Sequence, residues 1–272
     1  MSEFDEATAV TALGPGLFRA DLDAGWGLGN DVLNGGYLLA VLARATLADT
    51  GESAPHHLHP TAISAAFVRP GMAGTADVRV DPGPSGRTVT HRSVAVGGAA
   101  GDVVTALVTT ATLPLADALA PTAPSMPAPE ECVSMLEKMR AVPGGMDLLP
   151  TLMQRVDLRF DPATAGWLDG VPSSEPVLRA WCRIPGREPD PLALVLFADL
   201  LPPSGFAQGN LGWAPTVQIQ TLVRAVPAPG WCLIEIRGGT TADGWIDEDC
   251  AIWDSGGRLV AQSRQLARVA RG

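Results

Sequence analysis

The segment NGGYLLAVLARATLA, residues 34–48, contains the longest apolar helical pattern in the chain. Asn34 is a residue type that caps helix N-termini, and almost every residue after the two glycines is apolar. A helix that is apolar around most of its circumference is buried rather than placed on the surface. The segment therefore predicts a central helix that other elements enclose.

A second apolar helix is predicted in the other half of the chain. Residues 190–201 read DPLALVLFADLL, with Asp190 as the cap and Pro191 in the first turn. Pro202 and Pro203 then end the helix. Each half therefore contains one buried helix.

Four predicted strands follow each helix, separated by Gly and Pro turns that are too short for crossover helices. Strands joined in this way pair antiparallel, so we expect an α+β fold in which an antiparallel sheet wraps each helix. The predicted strands span 62–68, 75–80, 88–96, 103–112, 216–225, 231–237, 245–253 and 259–269.

The two halves also resemble each other at a nearly constant spacing. TAISAAFVR at 61–69 corresponds to TVQIQTLVR at 216–224, since 216−61 and 224−69 are both 155. GDVVTA from Gly101 corresponds to GRLVAQ from Gly257, a spacing of 257−101 = 156. We therefore predict a duplicated unit: residues 1–113, a Pro/Ala-rich linker at 114–150 with a short helix at 132–140, and residues 151–272.

Composition excludes several classes of function. The 272 residues carry 29 acidic and 19 basic side chains, for a net charge of −10, which argues against nucleic-acid binding. No run of about 18 apolar residues could span a bilayer, and the acidic N-terminus MSEFDEATAV lacks a signal-peptide pattern. We expect a soluble cytoplasmic protein that binds neither membrane nor nucleic acid.

Familiar catalytic and metal motifs are missing. The sequence has no GxSxG, GxxxxGK[ST] or HExxH motif, and its four cysteines show no metal-binding spacing. The four histidines all precede residue 92. We interpret the turn HHLHP at 56–60 as a solvated loop rather than a metal site, and His91 as a surface residue.

Asp199 is the most unusual charged residue. It is the only one between Asp190 and Arg224, and it follows an almost entirely apolar helix. Burial and the negative end of the helix dipole both disfavour an ionised carboxylate, so its pKa should be raised, as suits a general base. The alternative is an Asp that turns outward at a fraying helix end.

Two further strands present polar candidates. In the last strand, alternation places Gln265 on the inward face, where a structural amide is the alternative to a catalytic one. In the strand from 216, Thr216 shares a face with Gln218 and Gln220, whereas Thr221 lies on the other face. Either threonine could point at a site.

The start of the first helix offers backbone donors. The N–H groups at Asn34, Gly35 and Gly36 have the arrangement of an oxyanion hole. Glycines at these positions also permit close packing of helix against sheet, which is the structural alternative.

Several of these segments together resemble the double-hotdog acyl-CoA thioesterases of the bacterial thioesterase II family. They are NGGYLLAVLARA, HPTAISAAFVRPG and GRTVTHRSV in the first half, and FADLLP, PTVQIQTLVR and GRLVAQSRQ in the second. The resemblance covers about residues 26–112 and 180–269. It implies two hotdogs side by side, each a long helix wrapped by an antiparallel sheet.

The resemblance also implies a mechanism without metal, cofactor or covalent intermediate. Its catalytic Asp corresponds to Asp199 and its Gln to Gln265, and its Thr corresponds to Thr216, with Thr221 as the alternative. These side chains would activate water against the thioester of an acyl-CoA, and helix-start N–H groups would stabilise the oxyanion.

Other interpretations remain open at this level. A hotdog hydratase would need a histidine, and the second half has none. A non-catalytic acyl-CoA-binding protein would retain the pocket without the polar set. The CoA phosphates need basic partners, for which Arg87 is a candidate together with Arg69 and Arg224, because all three follow or flank predicted strands. Further pairing into a homo-oligomer is also expected of such a fold.

Overall fold

The computed structural model describes residues 1–54, 56–98, 100–114 and 121–269, and its dominant element is an antiparallel sheet. Residues 115–120 of the predicted linker and 270–272 of the predicted second unit lie outside the described residues. The strands are β1 (Thr11–Gly14), β2 (Leu17–Leu22), β3 (Gly27–Gly29), β4 (Val32–Leu33), β5 (His59–Phe67), β6 (Gly74–Asp81), β7 (Thr90–Gly98), β8 (Gly101–Ala111), β9 (Val133–Ser134), β10 (Asp157–Phe160), β11 (Val177–Arg183), β12 (Thr216–Val223), β13 (Cys232–Ala242), β14 (Trp245–Trp253) and β15 (Leu259–Arg268).

Within the described residues, thirteen of these strands form one sheet, in the order β1-β2-β6-β7-β8-β5-β12-β15-β14-β13-β11-β10-β9. Strands β3 and β4 pair separately. The α-helices are α1 (Glu3–Ala7), α2 (Gly35–Ser53), α3 (Met135–Arg140), α4 (Gly145–Leu148) and α5 (Pro191–Phe197). Short 3-10 helices span Ala24–Trp26, Pro129–Glu131, Thr151–Gln154, Gly166–Asp169 and Ser204–Gln208.

Both predicted helix caps are confirmed. The Asn34 side chain accepts the backbone N–H of Tyr37, and the Asp190 side chain accepts that of Ala193. Pro191 occupies the first helical position. Because α2 and α5 are apolar on nearly all sides, they pack against each other and against the sheet in one hydrophobic core.

The predicted α+β class is confirmed, and all eight predicted strands are present. Five of the seven additional strands, β1, β3, β4, β9 and β10, span four residues or fewer, whereas β2 and β11 carry an alternating pattern that the prediction missed. Part of the predicted linker also carries structure, since α3, α4 and β9 lie in it and β9 pairs with β10 at the sheet edge. Helix α5 is shorter than predicted and ends at Phe197.

The bulges and helix caps of the two halves repeat at a spacing of 156 residues, so the spacing of 155 predicted between 61–69 and 216–224 is wrong by one residue. A β-bulge between Thr216 and Gln218 repeats one between Pro60 and Ala62, since 216−60 and 218−62 are both 156. The helix caps Asn34 and Asp190 have the same spacing. Residues 156 apart therefore occupy equivalent positions at the helix starts and in β5 and β12, whereas β8 and β15 are offset by 157, since Ile63 pairs with Val108 and Ile219 with Gln265.

Candidate active site

Three of the predicted residues meet at one end of β12 and β15. The Thr216 hydroxyl lies 2.7 Å from Gln265 Oε1 and 3.4 Å from Asp199 Oδ1. Asp199 is supplied by the turn after α5, Thr216 by the start of β12 and Gln265 by β15. The structure thus brings together an acid, a hydroxyl and an amide from separate elements.

The bulge in β12 explains how Thr216 reaches this group. Simple alternation placed Thr216 on the face of Gln218 and Gln220, both of which are exposed. The extra residue between Thr216 and Gln218 turns Thr216 to the inner face, where it contacts Asp199. The predicted face of Thr216 is therefore wrong, whereas the inward face predicted for Gln265 is confirmed by its contact with Thr216.

Side chains from both halves hold the backbone on either side of the Asp199 side chain. Ser263 Oγ donates to the carbonyl of Ala198 at 2.8 Å, and Asn34 Nδ2 donates to the carbonyl of Asp199 at 2.8 Å. Asn34 itself is 4% exposed. The carboxylate therefore sits on a turn that is fixed by β15 on one side and by the start of α2 on the other.

The pKa of Asp199 is raised from 3.8 to about 7, chiefly because burial disfavours the charged carboxylate. The negative charge of Glu248 raises it further, while the hydrogen bond from the Gly36 N–H and the proximity of the Thr216 hydroxyl act in the opposite direction. The residue remains partly accessible to solvent although protein surrounds it on most sides. Such a carboxyl group exchanges its proton near neutral pH, as a general base does.

The two glycines at the start of α2 allow this approach. A Cβ on Gly35 would lie 2.4 Å from Asp199 Oδ2, and one on Gly36 would lie 2.5 Å from the carbonyl oxygen of Leu196 in α5. The Gly36 N–H donates to the Asp199 carboxylate. The Gly35 N–H has no hydrogen-bond partner among the described residues. The two glycines therefore allow the start of α2 to pack closely against α5 and Asp199. At the same position, Gly35 offers an N–H donor without a partner among the described residues.

Glu248 and Ser204 belong to the same hydrogen-bonded group and were missed by the sequence reasoning. Glu248 Oε2 accepts Gln265 Nε2 at 2.6 Å, and Glu248 Oε1 accepts the backbone N–H of Ser204 at 2.5 Å. A signal was present, because alternation along WIDEDCAIW at 245–253 places Glu248 on the face of the buried residues Cys250 and Ile252.

Two other predicted candidates lie apart from the group. Thr221 is 0% exposed, and its hydroxyl has no hydrogen-bond partner within the described part of the chain. Arg87 is exposed and precedes β7, whose first residue Thr90 pairs through Thr110 with Pro60 at the start of β5. The Asp199 group lies at the other end of β5, beside Phe67.

The four histidines lie at the Arg87 end of the sheet. His59 begins β5, His91 bonds Thr109, and the carbonyl of His56 accepts from Thr112. His57 is 2% exposed and bonds Thr90 Oγ1 at 2.8 Å. The solvated loop predicted for this turn is therefore wrong at His57, which packs into the end of the sheet.

The equivalent position in the first half does not repeat the polar group. Subtracting 156 from Asp199 and Thr216 gives Ala43 and Pro60. Gln265 pairs with Ile219, and the equivalent residue Ile63 pairs with Val108. These three residues are an alanine, a proline and a valine, so among the described residues the polar group is present at one of the two equivalent ends and not at the other.

The described residues include no group of three or more His, Cys, Asp or Glu side chains that could hold a metal ion. None of the helices in the described ranges is long and apolar enough to cross a membrane.

Comparisons with known proteins identify the two halves. The model of the acyl-CoA thioesterase N-terminal domain matches residues 22–113, and that of the C-terminal domain matches residues 129–269. An uncharacterized protein of Mycobacterium tuberculosis is 32% identical over an alignment of 280 residues. The alignment covers 93% of this chain and 91% of the relative.

Solved structures agree with these matches. A candidate thioesterase II from Thermobifida fusca superimposes with a TM-score of 0.87 at 34% identity, covering 100% of this chain and 98% of that one. A hot dog protein of unknown function from Alicyclobacillus acidocaldarius gives a TM-score of 0.82 at 19% identity, covering 100% of this chain and 99% of that one. An acyl-CoA thioesterase II from Mycobacterium marinum gives 0.73 at 16% identity, covering 99% and 98%. The last two likenesses show the shared fold.

Proposed function

The chain belongs to the acyl-CoA thioesterase family, and from this premise we propose that it hydrolyses the thioester of an acyl-CoA to a free acid and CoA. The observation that carries the proposal is the contact of Thr216 with both Asp199 and Gln265, at a carboxyl group whose pKa is about 7. An acid that exchanges its proton near neutrality, beside a hydroxyl and an amide, suits the activation of water.

In the proposed reaction, a water bound by Gln265 and Thr216 gives a proton to Asp199 as its oxygen attacks the thioester carbonyl. The tetrahedral oxyanion receives a hydrogen bond from the free N–H of Gly35, at the positive end of α2. Collapse of the intermediate breaks the carbon–sulfur bond, and the proton held by Asp199 passes to the departing thiolate. Water supplies the added oxygen, and no group on the protein is consumed.

General-base catalysis of this kind is worth roughly 10²–10⁴ in rate, and an oxyanion donor is worth about 10²–10³. Both contributions come from the junction of the two halves, because Asp199 follows α5 and Gly35 begins α2. The reaction therefore depends on both copies of the duplicated unit, although only one equivalent end has the polar group.

The position of the histidines favours hydrolysis over hydration. His91 pairs with Thr109, which lies toward the start of β5, whereas Phe67 beside Gly35 lies at the end of β5. Hydration on a histidine would therefore need a different site from the one described. We therefore propose hydrolysis, with water as the nucleophile that attacks the thioester. We further propose that the enzyme acts in the cytoplasm, in the metabolism of fatty acids.

The test is release of free thiol from a panel of acyl-CoA esters of increasing chain length. We expect the wild type to turn over at least one ester and Asp199→Asn to lose about 10²–10⁴ in kcat. The matched control is Asp243→Asn in the β13–β14 hairpin, where φ is +49° and Asn adopts the same backbone. An Asp199→Asn enzyme as active as this control would contradict the proposal, as would tight acyl-CoA binding without turnover by the wild type.

A further inference from the structure

A second buried carboxylate, that of Glu248, contacts the Nε2 end of the Gln265 amide. Glu248 is 3% exposed, and its two oxygens accept Gln265 Nε2 at 2.6 Å and the Ser204 N–H at 2.5 Å. Among the described residues, no Arg, Lys or His forms an ion pair with it. A carboxylate that is buried with N–H donors alone is costly to retain, since an apolar residue would fill the same place more cheaply.

The surrounding backbone leaves room for this contact. Glu248 pairs with Gly238 across β13 and β14, and a Cβ on Gly238 would lie 2.6 Å from Ser204 Oγ and 2.9 Å from Pro176 Cβ. The glycine thus lets Ser204 pack tightly against the sheet beside Glu248. On its other side, Glu248 is the direct register partner of Gln265.

The contact determines which way the Gln265 amide points. An ionised carboxylate only accepts hydrogen bonds, so the NH₂ end of the amide faces Glu248. The carbonyl end, Oε1, then faces Thr216 at 2.7 Å and accepts the hydroxyl proton. The second lone pair of Oε1 is left for one further donor.

The orientation of the Gln265 amide determines how an attacking water can be held. The two protons of the water must point at acceptors so that a lone pair on its oxygen is free to attack the carbonyl carbon. Asp199 supplies one acceptor, and Gln265 Oε1 supplies the other only while the amide has this orientation. A reversed amide would donate to the water and occupy the lone pair that attacks.

We infer that Glu248 is a positioning residue, which holds the Gln265 amide with its carbonyl oxygen toward Thr216 and the reacting water. The inference rests on the proposed function, and it adds a residue that acts on the water through Gln265 rather than by touching substrate.

The negative charge of Glu248 should also affect the dependence of kcat on pH. Of the two causes that raise the pKa of Asp199, burial is the larger and the negative charge of Glu248 is the smaller. Among the described residues, the Cys250 thiol also interacts with Asp199, but burial raises its pKa to about 12, so it is neutral wherever Asp199 titrates. Loss of the Glu248 charge should therefore move the acid limb of kcat to lower pH.

The experiment is a mutant cycle on thiol release, measured as kcat, KM and pH profile. We expect Glu248→Gln to lower kcat about 10–100-fold with little change in KM, and to move the acid limb to lower pH. In a Gln265→Met background the same substitution should lower kcat no further, because Glu248 acts through Gln265. The matched control is Asp249→Asn, the next residue on the exposed face of β14, which should behave as the wild type.

Unchanged kcat in Glu248→Gln, an unmoved acid limb or a fully additive cycle would overturn the inference. If Glu248→Gln does not fold, Glu248→Asp is the test, because aspartate keeps the negative charge and the acceptor oxygens. This variant should retain the acid limb of the wild type and have a higher kcat than Gln265→Met. Failure in either respect overturns the inference. A wild type that releases no thiol, by contrast, would refute the proposed function itself.

Discussion

Ionisation of Asp199 should oppose folding, and Asp199→Asn isolates the effect. The pKa of this carboxyl is about 7 in the folded protein, against 3.8 for an ordinary Asp. The folded state therefore holds the proton more tightly than the unfolded state. The stabilising contribution is complete below about pH 3.8 and is lost as pH rises through about 7.

The size of the effect follows from the width of that window. Each unit of pKa difference corresponds to about 1.4 kcal/mol, so the contribution lost over the whole window is at most about 4 kcal/mol. Between about pH 5 and pH 8 the ceiling is about 2.7 kcal/mol. Because Asp199 is partly accessible to solvent, which screens its charge, we expect about 1–2 kcal/mol.

The assay is urea unfolding of the wild type, Asp199→Asn and Asp243→Asn over about pH 5–8. Asparagine does not ionise, so the free energy of unfolding of Asp199→Asn should rise relative to wild type by about 1–2 kcal/mol across that range. Asp243→Asn should keep a constant difference from the wild type. A constant difference for Asp199→Asn, or one that falls with rising pH, would refute the assignment of a raised pKa to this carboxyl.

Three other substitutions test the surroundings of the site. Gly35→Ala places a Cβ 2.4 Å from Asp199 Oδ2, so thermal unfolding should show a loss of about 1–3 kcal/mol, and kcat should fall at least tenfold; wild-type kcat would contradict the close approach. Thr221→Val removes a buried hydroxyl without a described partner, so turnover should be unchanged and stability equal or up to about 1 kcal/mol higher; a large loss of kcat would instead make Thr221 catalytic. Asn34→Ala removes a helix cap and the hydrogen bond to the Asp199 carbonyl, and should cost about 1–2 kcal/mol and lower kcat; a loss of stability with full kcat would show that this bond does not position the base.

Local patterns were sufficient for the parts of the site that lie on regular elements. The apolar helix before Asp199 marked it as a charge in an apolar setting, and alternation placed Gln265 on the inward face. Glu248 carried the same alternating signal, between buried neighbours on β14. These residues are recognisable because period-two burial extends along whole strands.

Other parts depend on contacts that no local pattern encodes. Thr216 faces inward only because of the bulge before Gln218, which shifts the pairing of β12 with β15. His57 is buried by packing against Thr90, which lies 33 residues away. The short strands β1, β3, β4, β9 and β10 are held by pairing and packing with distant segments rather than by their own composition.

In the proposed mechanism, Asp199 activates a water molecule that attacks the thioester directly. A single turnover in ¹⁸O-labelled water, with enzyme in excess over acyl-CoA, tests this most directly. We expect the released acid to carry one labelled oxygen and the protein to carry none. An unlabelled acid, with the label found in the Asp199 carboxylate, would show that Asp199 attacks the substrate itself and would contradict the account.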